Sequence, residues 1–562
     1  MGYKGEIMNG LRLIPLGGMG HVTQNMYLYE YGNEILIFDC GIGFPDMYMP
    51  GVDILIPDIA YLQRRLEEGA KIVGMVLTHG HDDHIAATPY ILPDLPEFPI
   101  YASPLTAGFA ENRMSEMENP RVVTVLKDKN WVKIGTYFEI MPMAMTHSVP
   151  DTKHFVLKTP EGRIYHGTDF KLDKNPVDGV LPDYDAIEQA GKDGIDLMLM
   201  DCLRVEKDTW VKSESECGPV IEEAMQNVQG KILVTLMSSH LHRIQQTIDA
   251  AVRLNRKIVF VGRSVEQNME VALSLKKVNV PQGVIIDKKK IETVKDSQLC
   301  VIIAGSQGQE GSSLMRAVYG DHPIIRITGR DKVIFSADAI PGNEIPYFAA
   351  VDELFNNGID VVYPTIAPDI HQSGHASAPE QLELLKLVKP KFVMPIGGAD
   401  RHRILFKQRV AAKAGYQANQ VLIPQSGDII MLNDGKISYP EQIVIRGRAV
   451  DGLGVGDVGP RVISDRLALG NAGMIVLALP RDAKTKEFDL RRMDVISRGF
   501  VYMKESDEVV KFIKDQASNF LSDINPKMKD NEIRGKLERK ISRKLFKVIR
   551  REPMVVVAFI DV

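Results

Sequence analysis

The segment His79-Gly-His-Asp-Asp-His84 packs three imidazoles and two carboxylates into six residues. It follows the apolar run Ile72–Leu77, which puts the loop at the end of a strand, where α/β folds place their chemistry. Imidazole and carboxylate donors at this density suit zinc or manganese, and packing does not explain them. Further donors are expected at later strand ends. His147 follows Ile140–Met145, Asp169 follows Arg163–Tyr165, and Asp39 ends Ile35–Phe38. Singly each reads as a turn residue or a cap, but their order and their placement at strand ends make them a set. Divalent cations held by such donors bring the pKa of a bound water toward neutrality and neutralise charge building on a phosphoryl or acyl oxygen. Such a site hydrolyses something.

The elements that must hold these residues are legible as short apolar runs bounded by Gly, Asp or Pro. Leu197–Met200, Ile232–Met237, Ile258–Val261, Val301–Ala304, Val333–Phe335 and Phe392–Pro395 read as strands. Ile244–Leu254, Val265–Leu275 and Pro379–Val388 read as helices. Alternation of the two predicts an α/β protein with covered sheets. The glycine-dense stretch Arg448–Pro460 reads as a linker, so 448–470 is assigned as a connection. Beyond it a strand at Met474–Leu479, another at Phe500–Tyr502, two helical stretches and a final strand at Met554–Phe559 predict a small separate α/β domain over 471–562. Between Arg534 and Arg551 nine Lys or Arg face one acid, Glu538. That run is a solvated face, an RNA-tracking surface or a dimer surface.

Composition excludes several classes. A chain of 562 residues with 44% hydrophobic and 25% charged residues is an ordinary globular protein, long enough for several domains. The four cysteines (Cys40, Cys202, Cys217, Cys300) lack the close spacing of a disulfide scaffold or zinc ribbon. A net charge of −5 leaves room for a local basic face. No apolar run reaches the length of a membrane span, and the opening Met1-Gly-Tyr-Lys lacks a signal-peptide core, so a cytoplasmic protein with no membrane partner is expected.

The HxHxDH segment with its later His and Asp resembles the metallo-β-lactamase superfamily. The resemblance implies an αββα sandwich and two metals. His79, His81 and His147 would bind one ion, Asp83 and His84 the second, and Asp169 would bridge, with Asp39 orienting a ligand histidine. A second α/β unit lies between about 215 and 375. It carries MSSHLHRIQQTIDAA from Met237, AGSQGQEGSSL from Ala304, FSADAIPGNE from Phe335 and DIHQSGHAS from Asp369. With VDGLGVGDVG from Val450 and SRGFVYMKES from Ser497, these resemble the β-CASP nucleases, and within them the bacterial ribonuclease J family. The domains implied are a sandwich over 1–214 and 376–447, a β-CASP insertion over 215–375 and the C-terminal domain. Ser239, His240, His371, Gln372, Ser373, Gly374 and His375 would contact substrate; Asp83, Asp201 and His375 would be catalytic. Glycine beside Ser373 and His375 also lets backbone N–H groups converge on a phosphate.

Three positions depart from the family. Asp201-Cys-Leu-Arg204 stands where Asp-Ser-Thr-Asn is usual, and His21 where an acid is favoured. Gly397-Gly398-Ala399 stands where a histidine of the second metal's shell belongs, with His402 the only nearby substitute. The resemblance thus implies a Zn²⁺ enzyme, Mn²⁺ also being suitable, with two sites of which the second is weakened. It would hydrolyse RNA as a 5′→3′ exonuclease and endonuclease in RNA maturation and decay, prefer 5′-monophosphorylated RNA, and form a homodimer or larger homo-oligomer. The alternative is a weakly active RNA-binding paralogue serving as an assembly subunit. A small-ester hydrolase fits neither the insertion nor Ser373-Gly374-His375.

Overall fold

The strands that deliver the site belong to two sheets sharing one core. The computed structural model describes residues 10–46, 48–340, 342–452, 454–500, 507–525 and 528–562. The chain divides into two compact units, one running to Phe44 and over Leu55–Gly447, the other comprising Pro45–Ile54 and Arg448–Val562. In the first unit an eight-stranded sheet runs in the order Lys436–Ser438, Ile430–Asn433, Leu11–Pro15, Tyr27–Tyr31, Glu34–Phe38, Lys71–Val76, Ile100–Ala102, Val123–Val125. A six-stranded sheet runs Phe392–Ile396, Leu197–Asp201, Gly162–His166, Lys153–Thr159, Phe138–Ala144, Val132–Ile134. Leu13, Tyr29, Phe38 and Val76 of the first meet Phe138, Phe155, Ile164 and Met394 of the second in a continuous apolar core. The outer face of the second sheet is covered by the helices Tyr184–Asp193 and Ala378–Val388, through Ile187, Ala190, Leu384 and Val388. This is the expected αββα sandwich. Strands buried throughout, such as Glu34–Phe38 and Leu197–Asp201, are apolar along nearly their whole length, which is why their runs were readable.

The insertion forms a five-stranded, wholly parallel sheet in the order Lys257–Val261, Leu299–Ile303, Ile232–Thr235, Lys332–Phe335, Asp360–Val362. Its core takes Leu314, Tyr347 and Leu354 from flanking helices.

The second unit corrects two sequence expectations. The stretch assigned as a connection contains the antiparallel strands Arg448–Asp451 and Gly454–Val455 and then a helix, Pro460–Ala472. Proline in a helix's first turn and a glycine at positive φ just past its end (Gly473, φ 71°) are start and stop signals that the glycine density masked. Pro45–Ile54, inside the first expected domain, belongs with this unit: Asp53 N donates to Val450 O at 2.9 Å and Arg466 to Pro50 O at 3.1 Å. Asp494–Arg498 is a strand paired antiparallel with Met474–Ala478; of the strand expected at Phe500–Tyr502, Val501 and Tyr502 lie outside the described residues. Met474–Arg481 also pairs in parallel with Met554–Asp561. Its residues alternate between buried and half-buried, as expected of a sheet with one face covered by the helices Asp507–Leu521 and Asp530–Ile549.

One buried carboxylate fastens three segments that lead to the site. Glu380, fully buried, accepts from Ser377 N (3.0 Å) and Ser377 Oγ (2.7 Å) at the start of helix Ala378–Val388, from Leu172 N (3.0 Å) and from Val211 N (3.0 Å). Removing it orphans buried donors in addition to losing a helix cap, each costing about 1 kcal/mol or more. Glu380→Ala should therefore lower stability by about 2–4 kcal/mol, with Glu380→Gln intermediate, measured as a shift of the urea midpoint.

Candidate metal centre

The strand ends of both sheets converge on one cluster, and Asp39 organises it. Asp39 follows strand Glu34–Phe38 in the left-handed region (φ 60°) and is fully buried. Its Oδ1 accepts from Thr78 N (2.8 Å), and its Oδ2 from Thr78 Oγ1 (2.9 Å) and His84 Nδ1 (2.7 Å). The adjoining backbone runs alongside the HxHxDH loop, with Cys40 N donating to His84 O (2.7 Å) and Ile42 N to Asp82 O (3.1 Å). A Cβ at Gly41 would lie 1.6 Å from Asp83 O, so this approach requires glycine.

The donor atoms of His79, His81, His147 and Asp169 all lie within 4.8 Å of one another. His79 Nε2 and His147 Nε2 each stand 3.1 Å from His81 Nδ1, and each is 3.7 Å from Asp169 Oδ2. Ligand atoms about 2.0–2.1 Å from a tetrahedral zinc ion are about 3.3–3.4 Å apart, so the set could hold such an ion. Each ring's other nitrogen is spoken for. His147 Nδ1 donates to Gly374 O (2.7 Å), His79 Nδ1 lies 3.1 Å from Thr78 Oγ1, and His81 Nε2 lies 3.2 Å from Ser148 Oγ. These contacts leave the inward nitrogens as lone-pair donors. Burial, reinforced by neighbouring histidines, holds His79 and His147 well below the ordinary histidine range. Burial likewise takes His81 down to about 3, so all three rings are neutral and ready to ligate.

Asp83, His84 and Asp169 form a second group. His84 Nε2 is 3.7 Å from Asp83 Oδ2 and 3.6 Å from Asp169 Oδ2, which puts one oxygen of Asp169 between the two sets. Asn25 Nδ2 lies 3.1 Å from the same His84 nitrogen and competes for its lone pair. Burial lifts Asp83 to about 6. Gly397 (φ 65°) follows strand Phe392–Ile396, and a Cβ there would stand 3.5 Å from Asp201 Oδ1 and 3.6 Å from Asp169 Oδ1. A side chain at 397 would thus start beside the shared carboxylate. His402 is turned to Glu206, 3.7 Å away, and is not among the clustered donors of the described residues.

The insertion and its return strand close the site from another side. His375 Nδ1 donates to Asp201 Oδ2 (2.8 Å), and its Nε2 stands 3.9 Å from Asp169 Oδ2. Burial opposes charge on His375, but Asp201 and Asp169 outweigh it and raise its pKa to about 9. Ser373 Oγ accepts from His375 N (3.0 Å), and a Cβ at Gly374 would press within 2.9 Å of both Ser148 and His147. His371 and Gln372 are fastened rather than free. Arg243 Nη1 is 2.6 Å from His371 Nδ1, Arg243 Nη2 donates to Gln372 O (2.9 Å), and Gln372 Nε2 donates to Asp369 Oδ1 (3.1 Å). Ser239 and His240 follow strand Ile232–Thr235, both buried; His240 Nε2 lies 3.4 Å from Glu214 Oε2 while its Nδ1 has no hydrogen-bond partner, and burial together with Arg243 takes its pKa down to about 4.

Sequence reasoning missed the buried pair Arg243–Glu214, whose forked contacts are 2.8 and 2.7 Å, and also missed Asn25, Ser148 and Thr78. An available signal was a charged residue beside Leu241 and Ile244 on the buried side of helix Leu241–Arg253.

Three family models match: the ribonuclease J β-CASP domain over residues 229–354, the ribonuclease J C-terminal domain over 461–562 and the β-lactamase superfamily domain over 35–261. Ribonuclease J of Thermus thermophilus is 32% identical, the match covering 100% of this chain and 97% of that one. Ribonuclease J of Mycobacterium tuberculosis is 33% identical over 98% of each chain. The chain belongs to the ribonuclease J family. Among solved structures, a protein of unknown function from Enterococcus faecalis aligns with 75% of this chain and 100% of its own, at TM-score 0.53 and 15% identity, a likeness of fold alone. Membership in the ribonuclease J family accounts for the sandwich, the insertion in it and the C-terminal domain together.

The geometry at Gly397 generates a metal-binding prediction. Histidine tolerates positive φ better than most residues and would add an imidazole beside Asp169. Elemental analysis should find about one tightly held metal per wild-type chain and a value nearer two in Gly397→His, since losing a ligand's partner alone costs roughly 10–100-fold in affinity. Two tightly held metals in the wild type, one of them lost in His402→Ala, would assign the missing ligand to His402.

Proposed function

We propose that the protein is a metal-dependent ribonuclease that hydrolyses RNA phosphodiesters, both 5′→3′ from an end and internally, in RNA maturation and decay. The supporting observation is the position of Asp169 Oδ2, 3.6–3.7 Å from the inward nitrogens of His79, His147 and His84 and faced by His375 at 3.9 Å. His79, His81, His147 and Asp169 would hold one divalent ion; Asp83, His84 and Asp169 would hold a second, more weakly. The donor set suits Zn²⁺, and Mn²⁺ is compatible with the carboxylate-rich second group. When bound, such ions supply an acidified water and neutralise charge on the phosphoryl group.

The chain's own residues do the rest. Asp201 holds the Nδ1 proton of His375 and stabilises its charged form, so Nε2 can carry a proton to the leaving oxygen of the RNA. Gly374 O fixes the tautomer of His147, coupling the substrate segment to the donor cluster. Ser239, His240, Ser373 and Gly374 would receive the substrate's phosphates, with the Nδ1 of His240, which has no partner in the protein, offering a hydrogen-bonding group. Arg243 positions His371 and Gln372 behind them. The reading includes a preference for a 5′-monophosphate, assembly as a homo-oligomer and a cytoplasmic location. Among the described residues no helix is long and apolar enough to cross a membrane.

A second reading, a weakly active RNA-binding subunit, draws on Gly397 and on Asn25 at His84 Nε2. One experiment separates the two. The same RNA is supplied with a 5′-monophosphate or a 5′-triphosphate, in the presence of Mn²⁺ or Zn²⁺. The nuclease reading expects faster loss of the monophosphorylated RNA, a decrease of roughly 10²–10⁴-fold in His375→Ala, and no cleavage by the His79→Ala, His81→Ala double variant. Undiminished cleavage by the double variant would overturn it. RNA binding without cleavage by the wild type would establish the subunit reading.

A further inference from the structure

The C-terminal unit carries a concentration of charge that neither its fold nor the metal centre uses. Helix Asp530–Ile549 buries Ile533, Leu537, Ile541 and Leu545, four residues apart, against the three-stranded sheet and the neighbouring helix. Its other side presents Lys536, Arg539, Lys540, Arg543, Lys544 and Lys547 along a groove of about 440 Å³. From Lys536 to Lys547 the stripe is about 16 Å long at the helical rise of 1.5 Å per residue, enough for several phosphates.

These charges are not balanced from within. Lys536 pairs with Glu532 at 2.7 Å and Lys540 lies over the Phe520 ring, but Arg539, Arg543, Lys544 and Lys547 make no ion pair among the described residues. Glu538, the only acid between Arg534 and Arg551, is engaged in accepting from Val557 N at 3.1 Å. Among the described residues, Glu552 is the one acidic residue lining the groove. Like charges at i and i+4, as in Arg539/Arg543, Lys540/Lys544 and Arg543/Lys547, destabilise a helix. In a chain of net charge −5 the pattern therefore has a cost that a bound polyanion would relieve. Phe546, 43% exposed among these cations, adds a face on which an unpaired base can stack.

We propose that this helix face is a second RNA-binding surface, holding the phosphodiester backbone of a single-stranded substrate without reading its sequence. The proposal rests on the ribonuclease reading above for the identity of the polyanion. A second copy of the chain is a poorer occupant, because a two-fold contact through this face would set like charges against each other.

The test uses the full chain and a single-stranded RNA of about 30 nucleotides, long enough to engage more than one surface. Binding is measured in the cleavage-deficient His79→Ala, His81→Ala background as a function of salt, with and without Arg539→Glu, Arg543→Glu, Lys544→Glu and Lys547→Glu. The reversed face should raise Kd at least about tenfold at low salt and flatten the slope of log affinity against log salt by about 2–3, at about 0.7 per lost phosphate contact. Arg543→Glu alone should give a smaller change of the same sign, a check that does not depend on the fourfold variant folding. With the metal ligands intact, both variants should still hydrolyse a five-nucleotide 5′-monophosphorylated RNA at the wild-type rate. Unchanged affinity and salt slope would overturn the proposal. So would unchanged RNA affinity accompanied by a change in oligomeric state, which would make the face a subunit contact. Failure of the otherwise unsubstituted protein to cleave or bind any RNA would instead overturn the ribonuclease reading.

Discussion

The Asp39 carboxylate is the constraint from which the site follows. Three donors from the HxHxDH region converge on it in a place with no solvent: the backbone and hydroxyl of Thr78 and the Nδ1 of His84. A carboxylate is the side chain that can accept all three at once. Its hydrogen bonds reach both groups of donors, His84 directly and His79 through Thr78 Oγ1. The left-handed backbone at Asp39 and the contact between Gly41 and Asp83 are the local strain and crowding that this arrangement tolerates. Their offset is the set of buried hydrogen bonds that tie the first sheet's strand ends to the loop.

Around that anchor the fold assembles parts that no single element could supply. The donors come from the ends of Lys71–Val76, Phe138–Ala144 and Gly162–His166, and Asp201 ends a further strand. His375 arrives only after the chain has left the sandwich, built the inserted sheet and come back. Two devices register that return. Glu380 links the helix after His375 to the backbone of Leu172 and Val211, and Arg243 grips Glu214, Ser336 O and Gln372 O from within the insertion. Buried ion pairs of this kind do more for geometry than for net stability, because desolvation consumes most of their attraction. Here the geometry they hold is the approach of Gly374 to His147.

Most of this architecture was legible in the sequence for a physical reason. Strands buried on both faces need nearly continuous apolar runs, and ligand loops need uncommon residue types at strand ends. Both patterns stand out in Ile35–Asp39, Ile72–His84 and Leu197–Asp201. The parts that were not legible are those whose signal is geometric. Pro45–Ile54 joins the second unit through contacts to residues some 400 positions away, Asp53 to Val450 and Gly452 and Pro50 to Arg466, and no local pattern announces them. Glycine density hid a hairpin and the helix Pro460–Ala472, because glycine marks turns and strand edges as readily as linkers. Arg243 looked like one more charge on a helix until its burial placed it against Glu214. Gly397 was visible as a departure, yet only the positive φ and the position of its missing Cβ show that a side chain there would begin beside Asp169.

The central claim is that one outer carboxylate sets the tautomers on which both metal groups depend, and Asp39→Asn tests it most directly. Asparagine keeps the size but places an amide NH₂ where one oxygen was. If it faces His84, Nδ1 must accept and the proton moves to Nε2, the atom that has to bind metal. If it faces Thr78, two N–H groups collide. Metal titration of the purified variant, with its fold checked by circular dichroism, should show roughly 10–100-fold weaker binding at both sites. Metal affinity equal to that of the wild type at both sites would contradict the account.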